Sequence, residues 1–130
     1  MTFVDTDVMV DLLRTYPPAV KWLESLGEEE LLLSGFVCAE LVQGCTTKEQ
    51  QDKVARFLLP HHTTWPERET CDRALRVFSD FHLSHGLGLI DALIGQMAAD
   101  MNVPLNTFNT RHYECIPGLK TEQPYLRRGV

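Results

Sequence analysis

Short apolar runs that stop at a polar or acidic residue, separated by stretches of helical spacing, restrict this chain more than any other feature. Thr2-Phe3-Val4 ends at Asp5, and Glu30-Leu31-Leu32-Leu33 ends at the turn-prone pair Ser34-Gly35. Runs this short without polar alternation read as buried strands. Between them, Val8 to Leu13 and Pro18 to Leu26 carry helical spacing, divided by Tyr16-Pro17-Pro18 and closed by Gly27. Strand, helices, strand is a parallel crossover, because parallel strands need a long connection.

The pattern continues to the end. Phe36 to Gly44 and Thr47 to Leu59 read as helices, the second with Thr46 or Thr47 as N-cap and Pro60 closing it. His61-His62-Thr63-Thr64-Trp65 is β-prone and lies between prolines, which suits a short edge strand. Glu67 to His85, apolar at Ala74, Leu75, Val77, Phe78 and Phe81, predicts a long amphipathic helix ended by Gly86. A helix from Leu89 to Met101 follows, then a third buried strand at Pro104 to Thr107, a turn or short helix at Asn109 to Tyr113, and an added edge strand after Leu119. The expected fold is an α/β sandwich around a mainly parallel central sheet of four to five strands, one domain over residues 1–130. In such sheets ligands gather at the carboxyl ends of the strands.

Composition narrows the function. A net charge of -6 excludes a nonspecific nucleic-acid binder, which needs a basic footprint. It leaves room for an enzyme that bridges carboxylates to phosphate oxygens through a divalent cation. No apolar run approaches a membrane span, and the start has no charged segment followed by an apolar one, so a cytoplasmic protein is expected. Cys38, Cys45, Cys71 and Cys115 form no CxxC pair and read as reduced, half-buried thiols.

Three acids stand where they are hard to explain as solvated surface. Asp5 ends the first apolar run, at a site position for such a sheet, though an Asp there also caps the following helix. Glu40 shares a helix face with Phe36, Val37 and Gly44, and Asp91 shares one with Ile94, Gly95 and Ala98. A carboxylate among core-facing residues is costly unless it is paired or bound to a cation. Asp91 in a first helical turn also has a simpler reading as an anion favoured by the helix dipole. Three inward carboxylates together would repel one another, and a divalent cation removes that conflict. Oxygen donors without a His or Cys pair at zinc spacing favour Mg²⁺, with Mn²⁺ possible, while His61-His62 reads as strand or surface.

The order Phe3-Val4-Asp5-Thr6-Asp7, Ala39-Glu40-Leu41 with Gly44, Asp91-Ala92-Leu93-Ile94, then Thr107-Phe108-Asn109-Thr110-Arg111-His112-Tyr113 and Ile116-Pro117-Gly118-Leu119 resembles the PIN-domain family, and within it the VapC-type toxins. Each motif is short, but the four in order span nearly the whole chain. The resemblance implies a PIN-like three-layer α/β/α fold and a Mg²⁺-dependent endoribonuclease. It also implies the toxin half of a toxin–antitoxin pair, commonly a homodimer, held inactive by a VapB-type antitoxin and reaching DNA only through that antitoxin. Asp5, Glu40 and Asp91 match the family's acidic ligands. Asn109 falls where many members carry a fourth acid, and here it is neutral. Thr6, Asp7, Thr107 and Asn109 are the expected supporting residues, with Asp7 either an added charge behind the metal ligands or simply a helix-start anion.

The chemistry expected is in-line attack on an RNA phosphodiester by metal-activated water. Contact with RNA must come from local cations, for which Arg14, Lys21, Lys48, Lys53 and Arg111 are candidates. Val8, Val10, Leu12 and Leu13 face either the core or an antitoxin groove, with the core the safer reading. Two other functions fit part of the pattern. Phe3-Val4-Asp5-Thr6-Asp7-Val8 mimics the Asp-x-Asp nucleophile of haloacid-dehalogenase-type phosphatases, but Leu105 to Asn109 supplies none of the late acids that chemistry wants. A catalytically weak scaffold that mainly binds an antitoxin is the non-enzyme alternative, to which the neutral Asn109 gives room.

Overall fold

The computed structural model describes residues 1–127. β1 (Thr2–Val4) leads into α1 (Thr6–Leu13) and α2 (Pro17–Ser25), and β2 (Leu31–Ser34) into α3 (Gly35–Gln43) and α4 (Lys48–Leu58). β3 (His62–Thr64) leads into α5 (Arg68–His85) and α6 (Leu89–Met101), and β4 (Leu105–Asn106) into α7 (Thr110–Tyr113) and β5 (Thr121–Glu122). The five strands form one sheet in the order β3-β2-β1-β4-β5, with every pairing parallel. The expected α/β class and mainly parallel sheet are therefore observed, at the upper strand count.

The strand order itself creates a site. From β1 the chain steps outward through β2 to β3, then returns past β1 to β4 and on to β5. Right-handed crossovers send the two sets of connecting helices to opposite faces, which gives three layers. Between β1 and β4 the connections diverge, and a crevice opens beyond the carboxyl ends of those strands. Asp5 follows β1 and Thr107 follows β4, so both stand at its mouth.

The strands are short, and burial on both faces holds them. Phe3, Val4, Leu33 and Leu105 are fully buried and pack with Val8, Val37, Ile94 and Met97 from the helices. Local chemistry starts and stops the helices where the sequence indicates. The Ser34 hydroxyl accepts the Phe36 N–H at 3.1 Å to cap α3, and the Thr47 hydroxyl accepts the Gln50 N–H at 3.1 Å to cap α4. Gly86 ends α5 at φ 68°, a left-handed conformation that glycine adopts without strain.

Some details differ from the sequence reading. α1 begins at Thr6 rather than Val8, because the Asp5 carboxylate caps it. Trp65 lies outside β3 and packs over Gly35, where any Cβ would overlap its indole, and it meets Phe36 edge to face at 5.4 Å. Leu75, expected on the packed face of α5, is 58% exposed, and the residues of α5 that are buried are Thr70 and Ala74 instead. All four cysteines are free and half-buried. Among the described residues no helix is long and apolar enough to cross a membrane.

Candidate active site

Sheet register brings the first site residues together. Val4 pairs with Asn106, so Asp5 lies beside Thr107, and the Asp5 N–H donates to the Asn106 carbonyl at 3.0 Å. The Asp5 side chain is 5% exposed. Its Oδ1 accepts the Thr6 N–H at 2.8 Å and its Oδ2 accepts the Thr107 hydroxyl at 2.8 Å. The Thr107 hydroxyl in turn accepts the Asn109 N–H at 3.0 Å, which leaves its single proton for Asp5. Burial pushes the Asp5 carboxyl upward and the Asp91 charge adds to the push, while the bonds from Thr107 and Thr6 oppose it. Asp5 is thus both the cap of α1 and a buried acid at the end of a strand.

Thr6 links Asp5 to the second acid. Its hydroxyl donates to Glu40 Oε1 at 2.7 Å, from α1 to α3. Glu40 is half-buried and lies at the edge of the core, where Val37 and Leu41 of the same helix are buried and Gly44 is exposed. The inward Glu expected from helical spacing is therefore a boundary residue, satisfied by a hydroxyl and facing a cleft.

Asp91 arrives on the first turn of α6 and is also half-buried rather than part of the core face formed by Ala92, Ile94 and Gly95. Two neighbours on α7 hold its two oxygens. The Tyr113 hydroxyl donates to Oδ1 at 3.2 Å, and His112 Nε2 donates to Oδ2 at 2.8 Å. The same Tyr113 hydroxyl interacts with Asp5. Burial, then the Asp5 and Asp91 charges, raise the Tyr113 phenol far above its ordinary range, so it stays protonated.

Asp7 lies just outside this group. Its oxygens accept the N–H groups of Val8 at 2.8 Å and Phe108 at 3.0 Å, tying α1 to the segment after β4. Burial and then the Asp5 charge raise its carboxyl to about 6. Asn109 is exposed and takes part through its backbone N–H to Thr107.

A cleft of about 310 Å³ extends from Glu40 between α1, α3 and α4. Thr6 and Glu40 line one part of it, Val10 and Leu13 another, and Arg14 and Lys53 supply its cations. Val8, Met9 and Leu12 are buried in the core, while Val10 and Leu13 line the cleft. Arg111 borders a separate depression with His112, Lys21 lines a shallow one near Tyr16, and Lys48 pairs with Asp52 at 3.3 Å.

Among the described residues no three His, Cys, Asp or Glu side chains already converge tightly enough to enclose a metal ion. The donor set still suits a hard divalent cation, because it is all oxygen and contains a buried carboxylate raised by burial and by a second acid. The Tyr113 hydroxyl that donates to Asp91 lies near Asp5, and Glu40 is a single threonine away from Asp5.

The PIN-domain family model matches residues 2–115. The chain belongs to the PIN-domain family. Solved structures similar to this PIN domain include VapBC and FitAB proteins and a toxin–antitoxin complex. It matches VapBC2 from Rickettsia felis bound to a promoter DNA fragment with a TM-score of 0.78 and 25% identity, covering 93% of this chain and 96% of that one. It matches FitAcB from Neisseria gonorrhoeae at 0.76 and 22%, covering 95% and 98%. It matches a toxin–antitoxin complex from Klebsiella pneumoniae at 0.78 and 22%, covering 98% and 100%. No protein of curated function matches the sequence.

The structure brings Asp5, Glu40 and Asp91, with Thr6 and Thr107, to one end of the sheet of this PIN domain. The sequence reading did not single out Tyr113 or His112 as site residues. The available signal was their place in the segment after β4, beside Thr107, together with Gly95 one helical turn after Asp91.

Proposed function

We propose that this PIN domain is a Mg²⁺-dependent endoribonuclease that acts as the toxin of a toxin–antitoxin pair. One observation carries the reading. Asp91, from a distant part of the sequence, accepts the buried Tyr113 hydroxyl at 3.2 Å close enough to Asp5 for the two charges to act on each other, at the carboxyl end of the sheet, with Glu40 tied in through Thr6. Family membership supports the nuclease class, and an oxygen-only donor set supports Mg²⁺ or Mn²⁺.

Asp5, Glu40 and Asp91 would hold the cation. When bound, it supplies charge neutralisation at the phosphodiester and acidification of the attacking water. The remaining work belongs to the chain. Thr107 and the Thr6 N–H fix the Asp5 carboxylate, Thr6 fixes Glu40, and His112 and Tyr113 fix Asp91, so the acids meet the substrate already oriented. Among the candidate RNA contacts, Arg14 and Lys53 share the cleft with Glu40 and have the best position to hold phosphates near the acids.

The same cleft fits regulation. Among the similar solved structures one is a toxin–antitoxin complex, and three were solved with DNA bound. By analogy a VapB-type antitoxin segment would lay its apolar side on Val10 and Leu13, cover Glu40 and carry any contact with operator DNA. The exposed Leu75 and Leu83 of α5, and Leu89 and Ile90 at the start of α6, offer apolar surface for a second copy. The phosphatase reading lacks the late acids its chemistry wants, because Leu105 to Asn109 supplies none.

The test is to map cleavage ends in total RNA exposed to the purified protein, with Mg²⁺ and with a chelator. Discrete Mg²⁺-dependent cuts bearing 5′-phosphate and 3′-hydroxyl ends are expected. Tight antitoxin binding with no new RNA ends would favour the scaffold, and phosphate release from a small phosphomonoester with RNA intact would favour the phosphatase.

A further inference from the structure

Tyr113 is among the largest fully buried side chains, at 1% exposure, yet its polar end does not point into apolar surroundings. Its hydroxyl donates to Asp91 Oδ1 at 3.2 Å and also faces the Asp5 carboxylate. A phenol carries one proton, so a single donor stands between two acids from different layers of the fold. The ring alone fills the space that packing requires, and a phenylalanine would fill it equally. The hydroxyl therefore needs a different explanation from the ring.

The approach of Tyr113 to the acids is built into α6. Gly95 lies one helical turn after Asp91, on the same face. A Cβ at Gly95 would overlap the Ile116 side chain and come within 3.3 Å of the Tyr113 ring. The bare backbone lets the Tyr113 ring lie along the helix until its oxygen reaches Asp91. His112, the preceding residue, holds the other Asp91 oxygen at 2.8 Å. Asp91 is thus held from both sides by α7, a segment in which the sequence reading singled out only Arg111, as a candidate RNA contact.

We propose that Tyr113 is a positioning residue of the cation site, its hydroxyl holding Asp5 and Asp91 at a fixed separation and orientation so that a divalent ion meets both without rearrangement. The proposal rests on the reading of these two acids as cation ligands. Without the hydroxyl, the carboxylates repel across an apolar gap and must be reordered as the ion enters. Groups that orient metal ligands in this way typically contribute about 10- to 100-fold in metal affinity.

Calorimetric titration of the full chain with Mn²⁺ tests this, comparing wild type with Tyr113→Phe and using circular dichroism to compare their folds. The variant is expected to bind Mn²⁺ at least about tenfold more weakly with an unchanged spectrum. Equal affinity in the two proteins would overturn the role of Tyr113 and leave the acids as ligands. Absence of saturable binding by wild type would overturn both. A second measurement needs no variant and stands even if Tyr113→Phe does not fold. With tyrosine labelled at the oxygen-bearing ring carbon, Mg²⁺ titration of the wild type should shift the Tyr113 signal and leave those of Tyr16 and Tyr125 in place. A Tyr113 signal that does not move at saturating Mg²⁺ would overturn the proposal.

Discussion

The Thr107 hydroxyl donates to the Asp5 carboxylate at 2.8 Å, joining the segment after β4 to the one after β1 across a sequence separation of 102. Both groups are buried, so the bond supports the fold as well as the site. Replacing Thr107 with Val keeps the shape and removes the hydroxyl that most opposes the upward push of burial on Asp5. Thermal or urea unfolding should show a loss of about 1–3 kcal/mol. Thr107→Ser should recover most of it.

Thr6 has a different signature, because it is half-buried and its hydroxyl serves Glu40 alone. Thr6→Val should change stability by less than about 1 kcal/mol while lowering the RNA cleavage rate about tenfold or more, with Thr6→Ser close to wild type. Parallel melting curves and initial rates separate the two effects.

Gly95→Ala tests whether the close packing of α7 on α6 matters. The added methyl overlaps Ile116 and presses on the Tyr113 ring, and overpacking of this kind costs about 1–3 kcal/mol. The variant removes no polar atom, yet it should weaken Mn²⁺ binding in calorimetry by displacing the hydroxyl from the acids.

Away from the site, Asp100 predicts the response to acid. Its carboxyl is held down to about 2, chiefly by the hydrogen bond from Arg73, whose Nε lies 3.1 Å away, with further bonds from Thr70 and Gln96. A depressed folded-state value means the stabilisation is fully present above the unfolded value of 3.8 and is lost as pH falls towards 2. Asp100→Asn should lower the melting temperature at neutral pH and flatten its decline between pH 4 and pH 2.

Much of this was legible in the sequence because local signals agreed with the fold. Asp5 ended an apolar run, Gly86 closed a helix, and Thr47 and Pro60 bracketed another, so alternating strands and helices could be placed within a residue or two. The parallel pairing followed from the length of the connections. What stayed hidden was lateral. Helical spacing made Glu40 and Asp91 look like core residues, but a face shared with apolar neighbours has an edge, and both acids sit on it. The partners at that edge come from other elements, Thr6 for Glu40, and His112 and Tyr113 for Asp91. A tyrosine between His112 and Glu114 carries no mark in sequence of where its hydroxyl ends. The exposure of Leu75 has the same origin, since the contact chosen by α6 decides which side of a long helix is covered.

The most direct test of the account is the rate of RNA cleavage by wild type, Asp5→Asn, Glu40→Gln and Asp91→Asn, purified and folded, in saturating Mg²⁺ and in chelator. The account predicts Mg²⁺-dependent cleavage by wild type and a loss of at least about 100-fold in each variant, in the range expected when an electrostatic element of a site is removed. Cleavage by Asp5→Asn or Asp91→Asn at the wild-type rate would contradict it.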